Sequence, residues 1–263
     1  MRYHIDTIPV WDAYKEDCEC PLCRVAQKQE QEYLDIFMGA SVMEPSRRME
    51  VNDRGFCARH LEMMLGNGNR LGLALMAHTH LKETMAKLDA ISAKALAAAG
   101  EDGKKSAPAR LIGRAAGTNG SVNELKTQAE AAEKVASTCL FCEKLDDTMQ
   151  RYVQTVIYMW KHEQEFRTAL AGSKGFCLKH YAEVMKAAPE QLSGKELEEF
   201  VTALTTVQKT NLERLEKEIE WFTLKFDYRN QDKPWGTSKD AVERTVFKLR
   251  GHAALPYEKK KKD

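Results

Sequence analysis

Long apolar runs are missing from this chain. No stretch of its 263 residues reaches the ~20 residues that a membrane-spanning helix requires. The first ten residues, Met1 to Val10, are too short and too polar to read as a secretory signal. Net charge is missing too. Forty Lys and Arg face 39 Asp and Glu, a formal balance of +1 at pH 7, so no global field draws the molecule to nucleic acid or to an anionic surface. Alternating β-branched runs are scarce, which argues against sheets. Catalytic signatures are absent as well: there is no Gly-rich phosphate loop, no G-x-S-x-G, no H-E-x-x-H and no dinucleotide fingerprint. Acidic residues are plentiful, yet none form a pattern that singles out a general acid/base pair. These absences predict a cytosolic chain without a recognisable catalytic machine and without a membrane partner.

What is present is a cysteine pattern written twice. The first copy reads Cys20-Pro21-Leu22-Cys23, then Gly55-Phe56-Cys57-Ala58-Arg59-His60. The second reads Cys139-Leu140-Phe141-Cys142, then Gly175-Phe176-Cys177-Leu178-Lys179-His180. Cys20 and Cys139 are 119 positions apart, and Cys57 and Cys177 are 120 apart. Six of the seven cysteines fall inside the repeat. Each copy supplies three thiols and an imidazole with the x2 spacing of a metal clamp, so the predicted ligands are Cys20, Cys23, Cys57, His60, Cys139, Cys142, Cys177 and His180. In a reducing compartment such thiols are metal ligands or redox groups before they are disulfides, and disulfides would leave the two histidines unexplained. Zinc at two structural sites is the leading cofactor assignment. An iron–sulfur cluster is the alternative, because Cys3His sets also hold clusters.

The rest of the chain reads as all-α. Glu, Lys, Gln, Ala, Leu and Met dominate. Residues 1–98 form a first helical unit, with Val25, Ala26, Tyr33, Ile36, Phe37 and Ala40 at helical spacing after the first C-x2-C. The segment around Asp6 to Lys15 precedes that pair as the helix from Val122 to about Ala136 precedes the second. A long helix from about Arg70 to Ala98 carries a stripe of Leu71, Ala74, Leu75, His78, Leu81, Met85, Leu88 and Ala95, expected to be its buried side. Glycines at 100, 103, 113, 117 and 120 mark 99–121 as a flexible linker. The second unit, 122–230, closes with a long helix. Ser193 and Glu196 there match a capping box, and Leu197, Val201, Leu204, Leu215, Ile219, Phe222 and Phe226 mark its buried side. Residues 231–263 comprise a loop, a helix from about Lys239 to Arg250 and a lysine-rich tail. Ala241, Val242, Thr245, Val246 and Leu249 should face inward on that helix, with Gly251 as its stop.

Spacing bears on how the ligands meet. In C-x2-C the second cysteine can enter the first turn of a helix, where unpaired N–H groups and the helix dipole favour thiolate. Cys57 and His60, three apart, share a face of one turn. A helix from Cys23 to Ala40 carries the chain about 25 Å away, and the stretch to Cys57 is long enough to return. In the second copy an unbroken helix from Glu143 to Ala171 would run about 40 Å, too far for Gly172 to Phe176 to recover. Either that helix breaks near Tyr158 to Glu163, or the ligand pairs are exchanged between copies. The expectation adopted is the break, with each copy closing its own site.

Other chemistry-bearing residues have plainer readings. Cys18 is the leftover thiol, whose counterpart by offset is Ser137. His78 is expected to be buried and hydrogen-bonded, with His80 roughly across the helix from it, and His162 is expected at the surface. Met63, Met64 and Met76 are core filler. Arg47, Arg48 and Arg54 are solvated.

Cys20-Pro21-Leu22-Cys23, Arg54 to His60, Asn69 to Leu75, the second copy of the cysteine motif and the tail Pro234-Trp235-Gly236…Asp240-Ala241-Val242-Glu243-Arg244 together carry a resemblance. The chain resembles an uncharacterised bacterial domain-of-unknown-function family of helical proteins, over nearly its whole length outside the linker. That resemblance implies a helical architecture and brings no activity with it. The sequence therefore predicts an all-α protein of two pseudo-repeated helical units, each with a Cys3His metal site. It would act as a non-catalytic zinc scaffold for a protein or small-molecule partner. A redox or electron-transfer protein is the first alternative. A nucleic-acid-binding regulator is the second, disfavoured by the neutral charge and the lack of a basic recognition helix.

Overall fold

The structure is a computed structural model that describes residues 3–104, 106–109 and 120–251. Among them there is no strand. Residues 105 and 110–119 of the expected linker, and the lysine-rich tail, lie outside the described residues. The chain divides into two compact units. One comprises the residues up to Gln31 together with those from Lys144 on, and the other comprises Glu32–Glu143.

The first unit contains α1 (Tyr3–Tyr14), the start of α2 (Pro21–Met38) and most of α7 (Leu140–His162). It continues through α8 (Gln164–Gly172), α9 (Leu178–Ala187), α10 (Gly194–Leu224) and α11 (Ala241–Arg250). The α7 residues Met149, Tyr152, Val153, Val156, Ile157 and Trp160 recur at helical spacing and supply one buried stripe. Val10, Leu22, Val25, Phe166, Phe176, Val184, Phe200 and Leu204 complete the same core. Phe166 receives the edges of Trp11 and Tyr14 at 5.4 and 4.8 Å between ring centroids. Each such aromatic or aliphatic side chain contributes about 1.5–3 kcal/mol on leaving water.

The second unit holds the rest of α2, a 3-10 turn (Ala40–Met43), α3 (Pro45–Arg54), α4 (Ala58–Asn67), α5 (Arg70–Lys104) and α6 (Gly120–Ser137). Pro45 opens α3, where its missing N–H costs nothing. Gly68, left-handed at φ 94°, ends α4. The core gathers Leu34, Phe37, Met38, Val51, Met64, Leu73, Met76 and Phe141. Phe141 is its centre, edge-on to Phe37 at 5.1 Å and to Phe56 at 4.8 Å. Met64 and Met76 are core filler, as expected.

Three expectations about faces fail, each for a local reason. The predicted stripe on α5 faces solvent: Leu71, Leu81, Met85, Leu88 and His78 are exposed, while Gly72, Leu73, Met76 and Ala98 are buried. Packing against α3 selects the other side of the helix, and His80, not His78, is the histidine drawn inward, its Nδ1 2.9 Å from the Asn52 carbonyl. On α11, Val242, Val246 and Leu249 are exposed, and the inward face carries Ala241 and Lys248. The buried carboxylate of Glu19 and the half-buried one of Glu218 meet the charged residues of that helix, Lys248 and Arg244. On α10, Leu204 and Leu215 are buried as expected, but Phe226 lies past the helix end and is exposed. Ser193 does cap α10 by position, yet its hydroxyl makes no capping bond, and Glu196 pairs instead with Lys161 at 3.1 Å.

Candidate metal centres

All four C-x2 pairs sit at helix starts. Cys20 immediately precedes α2 and its carbonyl accepts from the N–H groups of Cys23 and Arg24. Cys139 stands in the same way before α7, accepting from Glu143 N–H. Cys57 and Cys177 are the N-caps of α4 and α9, in extended backbone that turns into the helix at the next residue. The second member of each pair (Cys23, Cys142, His60, His180) is the third helical residue or close to it, so both side chains point off the open, positively polarised end.

The glycine of each GFC motif shapes the approach. Gly55 and Gly175 have φ of 62° and 74°. A Cβ on Gly55 would lie 2.4 Å from His80 Nε2, and one on Gly175 would lie 2.9 Å from Gln208 Oε1. The buried Gln208 amide brackets Phe176: its Nε2 donates to the Phe176 carbonyl at 2.9 Å, and its Oε1 accepts from the Phe176 N–H at 3.0 Å. In the other copy the approach is braced by the chain next to Cys139. Thr138 Oγ1 donates to the Arg54 carbonyl, and Leu140 N–H donates to the Gly55 carbonyl.

These eight side chains form two clusters, and the pairing is the exchanged one. Cys20 and Cys23 meet Cys177 and His180, while Cys57 and His60 meet Cys139 and Cys142. Closure within each copy, the expectation adopted from chain length, is thereby overturned. The helix break it required does exist, at Glu163 between α7 and α8. It does not bring Cys177 back to Cys139, because the 23 residues of α7 advance about 35 Å first. The α2 helix likewise carries the chain about 25 Å from Cys23 before the turns that lead to Cys57. Each long helix therefore separates the two halves of its own motif.

Within each cluster the four ligand atoms lie within 4.8 Å of one another. In the first, His180 Nδ1 is 3.3, 3.4 and 3.4 Å from the sulfurs of Cys20, Cys23 and Cys177, and Cys23 and Cys177 are 3.6 Å apart. In the second, His60 Nδ1 is 3.2, 3.1 and 3.5 Å from Cys57, Cys139 and Cys142, and Cys57 and Cys142 are 3.9 Å apart. One imidazole nitrogen has one lone pair or one proton and cannot satisfy three sulfurs by hydrogen bonding. A tetrahedral ion with about 2.3 Å bonds to sulfur and about 2.0–2.1 Å to nitrogen would separate its ligand atoms by roughly 3.5–3.8 Å. The observed spacing fits that arrangement.

Charge supports the same fit. Three clustered sulfurs cannot all ionise without a cation among them, and the burden falls unevenly. Hydrogen bonds from Cys20 and Cys23 hold the Cys177 thiol far below the usual range, and burial drives Cys20 well above it. In the second cluster burial opposes ionisation of Cys139. The bonds from His60 and from the Cys57 and Cys142 backbone outweigh it and set the thiol at about 6. Burial and the neighbouring Cys139 push Cys142 up to about 12. Burial lowers His180, but its contacts with Cys177 and Cys23 raise it to about 9.

The clusters differ in their surroundings. All four residues of the first are buried, and Gly251, at φ 81°, closes over it: a Cβ there would lie 3.4 Å from the Cys177 sulfur and 3.7 Å from that of Cys23. A charged network stands beside it. The buried Glu19 takes both carboxylate oxygens to Arg214 Nη2 at 2.8 and 2.6 Å, and Arg244 bridges Glu19 and Glu218. The fully buried Lys248 donates to the carbonyls of Glu19 and Lys174. Burial pushes its ammonium down, while Glu19, Cys20 and Cys177 support the charge. A cavity of about 540 Å³ adjoins this network and is lined by Cys18, Cys20 and Cys23 among others. In the second cluster His60 and Cys139 are buried, but Cys57 and Cys142 are only half-buried. The His60 ring sits edge-on to Phe141 at 5.3 Å between centroids.

Sequence reasoning named all eight clustered residues. It missed Glu19, Gln208 and Lys248, and read Gly251 only as a helix stop. Gln208 lies 32 residues from Phe176 and Lys248 lies 229 from Glu19, so no local pattern marks either contact. Cys18 is not a cluster member. It is half-buried, its sulfur faces the Ala13 carbonyl at 3.9 Å, and burial raises its thiol to about 11.

Fold and site together define an all-helical protein with two Cys3His clusters able to hold metal. A family of unknown function, DUF6062, matches residues 1–255, and the chain belongs to it. No curated protein and no solved structure matches the chain.

Proposed function

We propose that the protein is a zinc-binding helical scaffold, with two structural Cys3His sites and no catalytic role of its own. The observation that carries this reading is the tight convergence of three sulfurs and one Nδ1 in each cluster, within 4.8 Å. Such a set saturates a tetrahedral ion and leaves no ligand position for substrate. It also favours a single ion over a polynuclear iron–sulfur centre, whose four ligands are spread over two or more irons and so do not all converge on one point. Zn2+ with three thiolates carries a formal charge of −1, which the two helix starts at each cluster and, at the first cluster, the Lys248 ammonium offset. Thiolate ligands need a reducing compartment, which supports a cytoplasmic address. Among the described residues no helix is long and apolar enough to cross a membrane.

Each ion would join segments distant in sequence: Cys20–Cys23 to Cys177–His180, and Cys57–His60 to Cys139–Cys142. Such cross-links supply folding free energy, about 10 kcal/mol or more for a structural zinc. The scaffold would present its helical surfaces to a partner protein or small molecule. Metal content by mass spectrometry and an absorption spectrum, on protein purified without oxygen, test the reading. Two zincs per chain and a featureless visible spectrum are expected. Iron with sulfide and a broad visible band would overturn it in favour of electron transfer.

A further inference from the structure

The exposed side of α5 has a stricter order than an amphipathic helix needs. Leu71, Ala74, His78, Leu81, Met85, Leu88, Ser92 and Ala95 are spaced alternately three and four residues apart, the a/d pattern of a coiled coil held over eight positions. Seven of the eight are exposed and Ala95 is half-buried. Leu81 and Met85, at its middle, are 57% and 56% exposed. Other faces of α5 are already engaged by α3 and α6: Leu73 and Met76 are buried across the helix from the seam, and Thr84, Ile91 and Ala98, half-buried or buried, line the flank beside it. A 3.5-residue seam, apolar except at His78 and Ser92, thus runs along a 35-residue helix and is exposed at seven of its eight positions among the described residues.

We infer that this seam is a homodimer interface, pairing α5 antiparallel with α5 of a second copy. The charges beside the seam select both the partner and the register. With Met85 and Leu88 at successive a and d positions, the e positions are Leu75, Lys82, Asp89 and Leu96. In an antiparallel pair e positions face e positions. When Met85 packs on Leu88 of the second copy, Lys82 faces Asp89 and Leu75 faces Leu96, and the two-fold axis repeats each contact. A shift of one heptad would set Lys82 against its own copy across the axis, a like-charge contact. A parallel pair would set g positions against e positions. The g positions are Arg70, Ala77, Thr84, Ile91 and Ala98; Arg70 would face Leu75, and the others offer Lys82 and Asp89 no counter-charge. Charge complementarity therefore fits a second copy of this chain in one orientation.

Size-exclusion chromatography with light scattering on the full chain tests the inference, with metal content and circular dichroism confirming that each variant is folded. The wild type is expected to be a dimer, and Met85→Glu with Leu88→Glu is expected to be a monomer with unchanged metal content. Lys82→Asp alone, or Asp89→Lys alone, should raise the dimer dissociation constant about tenfold, since two pairs turn repulsive. The double charge swap should restore it. A wild type that is monomeric throughout the micromolar range overturns the interface, as does a dimer that survives both glutamates. Charge reversals without effect, or a swap that fails to rescue, overturn the antiparallel register.

Discussion

The two clusters use the same residue types at the same spacing, yet all four ligands are buried in one and only two in the other. The first has four buried ligands, with Gly251 against two of its sulfurs and the Glu19–Arg214–Arg244–Lys248 network beside it. The second leaves Cys57 and Cys142 half-buried, with an aromatic core behind and no comparable lid among the described residues. A short motif fixes which atoms can meet. The elements that arrive later in the chain decide how far water, chelators and oxidants can reach them. The first cluster is braced through Gln208 and Arg214 of α10 and Gly251 after α11, and among the described residues the second has no counterpart of Gly251 against its sulfurs.

The largest effect should come from breaking each cluster at its N-cap cysteine. Cys177→Ser removes a fully buried ligand and should abolish the thermal transition of its unit, given about 10 kcal/mol or more at stake for a structural zinc. Cys57→Ser, at a half-buried position, should weaken metal binding and lower the transition by less. Calorimetry with metal analysis reads both, and full thermal stability in either variant would refute a structural role for that site. Next in size is Gln208→Leu, which leaves the buried Phe176 N–H and carbonyl without partners at a cost of about 2–4 kcal/mol. Chemical denaturation should show that loss, and the metal of the second cluster should stay bound.

A smaller effect is expected of Gly251→Val. Its backbone, at φ 81° and ψ 172°, lies in a region essentially reserved for glycine, and a Cβ there would already be in van der Waals contact with the Cys177 and Cys23 sulfurs, leaving little room for the valine methyls. The cost should be about 1–3 kcal/mol, seen as a lower melting temperature and faster chelator release from the first cluster alone. Smallest in energy, but the most direct contrast, is accessibility. During brief treatment with an alkylating reagent and a chelator, peptide mapping should find Cys57 and Cys142 modified before Cys20, Cys23 and Cys177. Equal rates at both clusters would remove the distinction drawn between them.

Much of this was legible in the sequence. Helical periodicity and the C-x2-C and GFC-x2-H spacings suffice to name the ligands and to place them at helix starts, because both are properties of single turns. The pairing was not legible. Chain length permits closure within or between copies, and only the direction in which α2 and α7 carry the chain decides it. Periodicity also cannot say which of two apolar faces a helix buries. On α5 the buried side is set by Leu73 and Met76, and the regular a/d seam is left outside. On α11 the inward face is polar because Glu19 and Glu218, far away in sequence, supply its counter-charges.

The exchanged pairing is the central claim, and two double variants test it most directly. Cys23→Ser with Cys177→Ser damages one cluster twice, whereas Cys23→Ser with Cys57→Ser damages both clusters once. Metal stoichiometry on the purified proteins should give one tightly held ion for the first variant and none for the second. If the second variant, altered twice within one copy of the motif, keeps an ion that the first has lost, each copy closes on itself and the account is wrong.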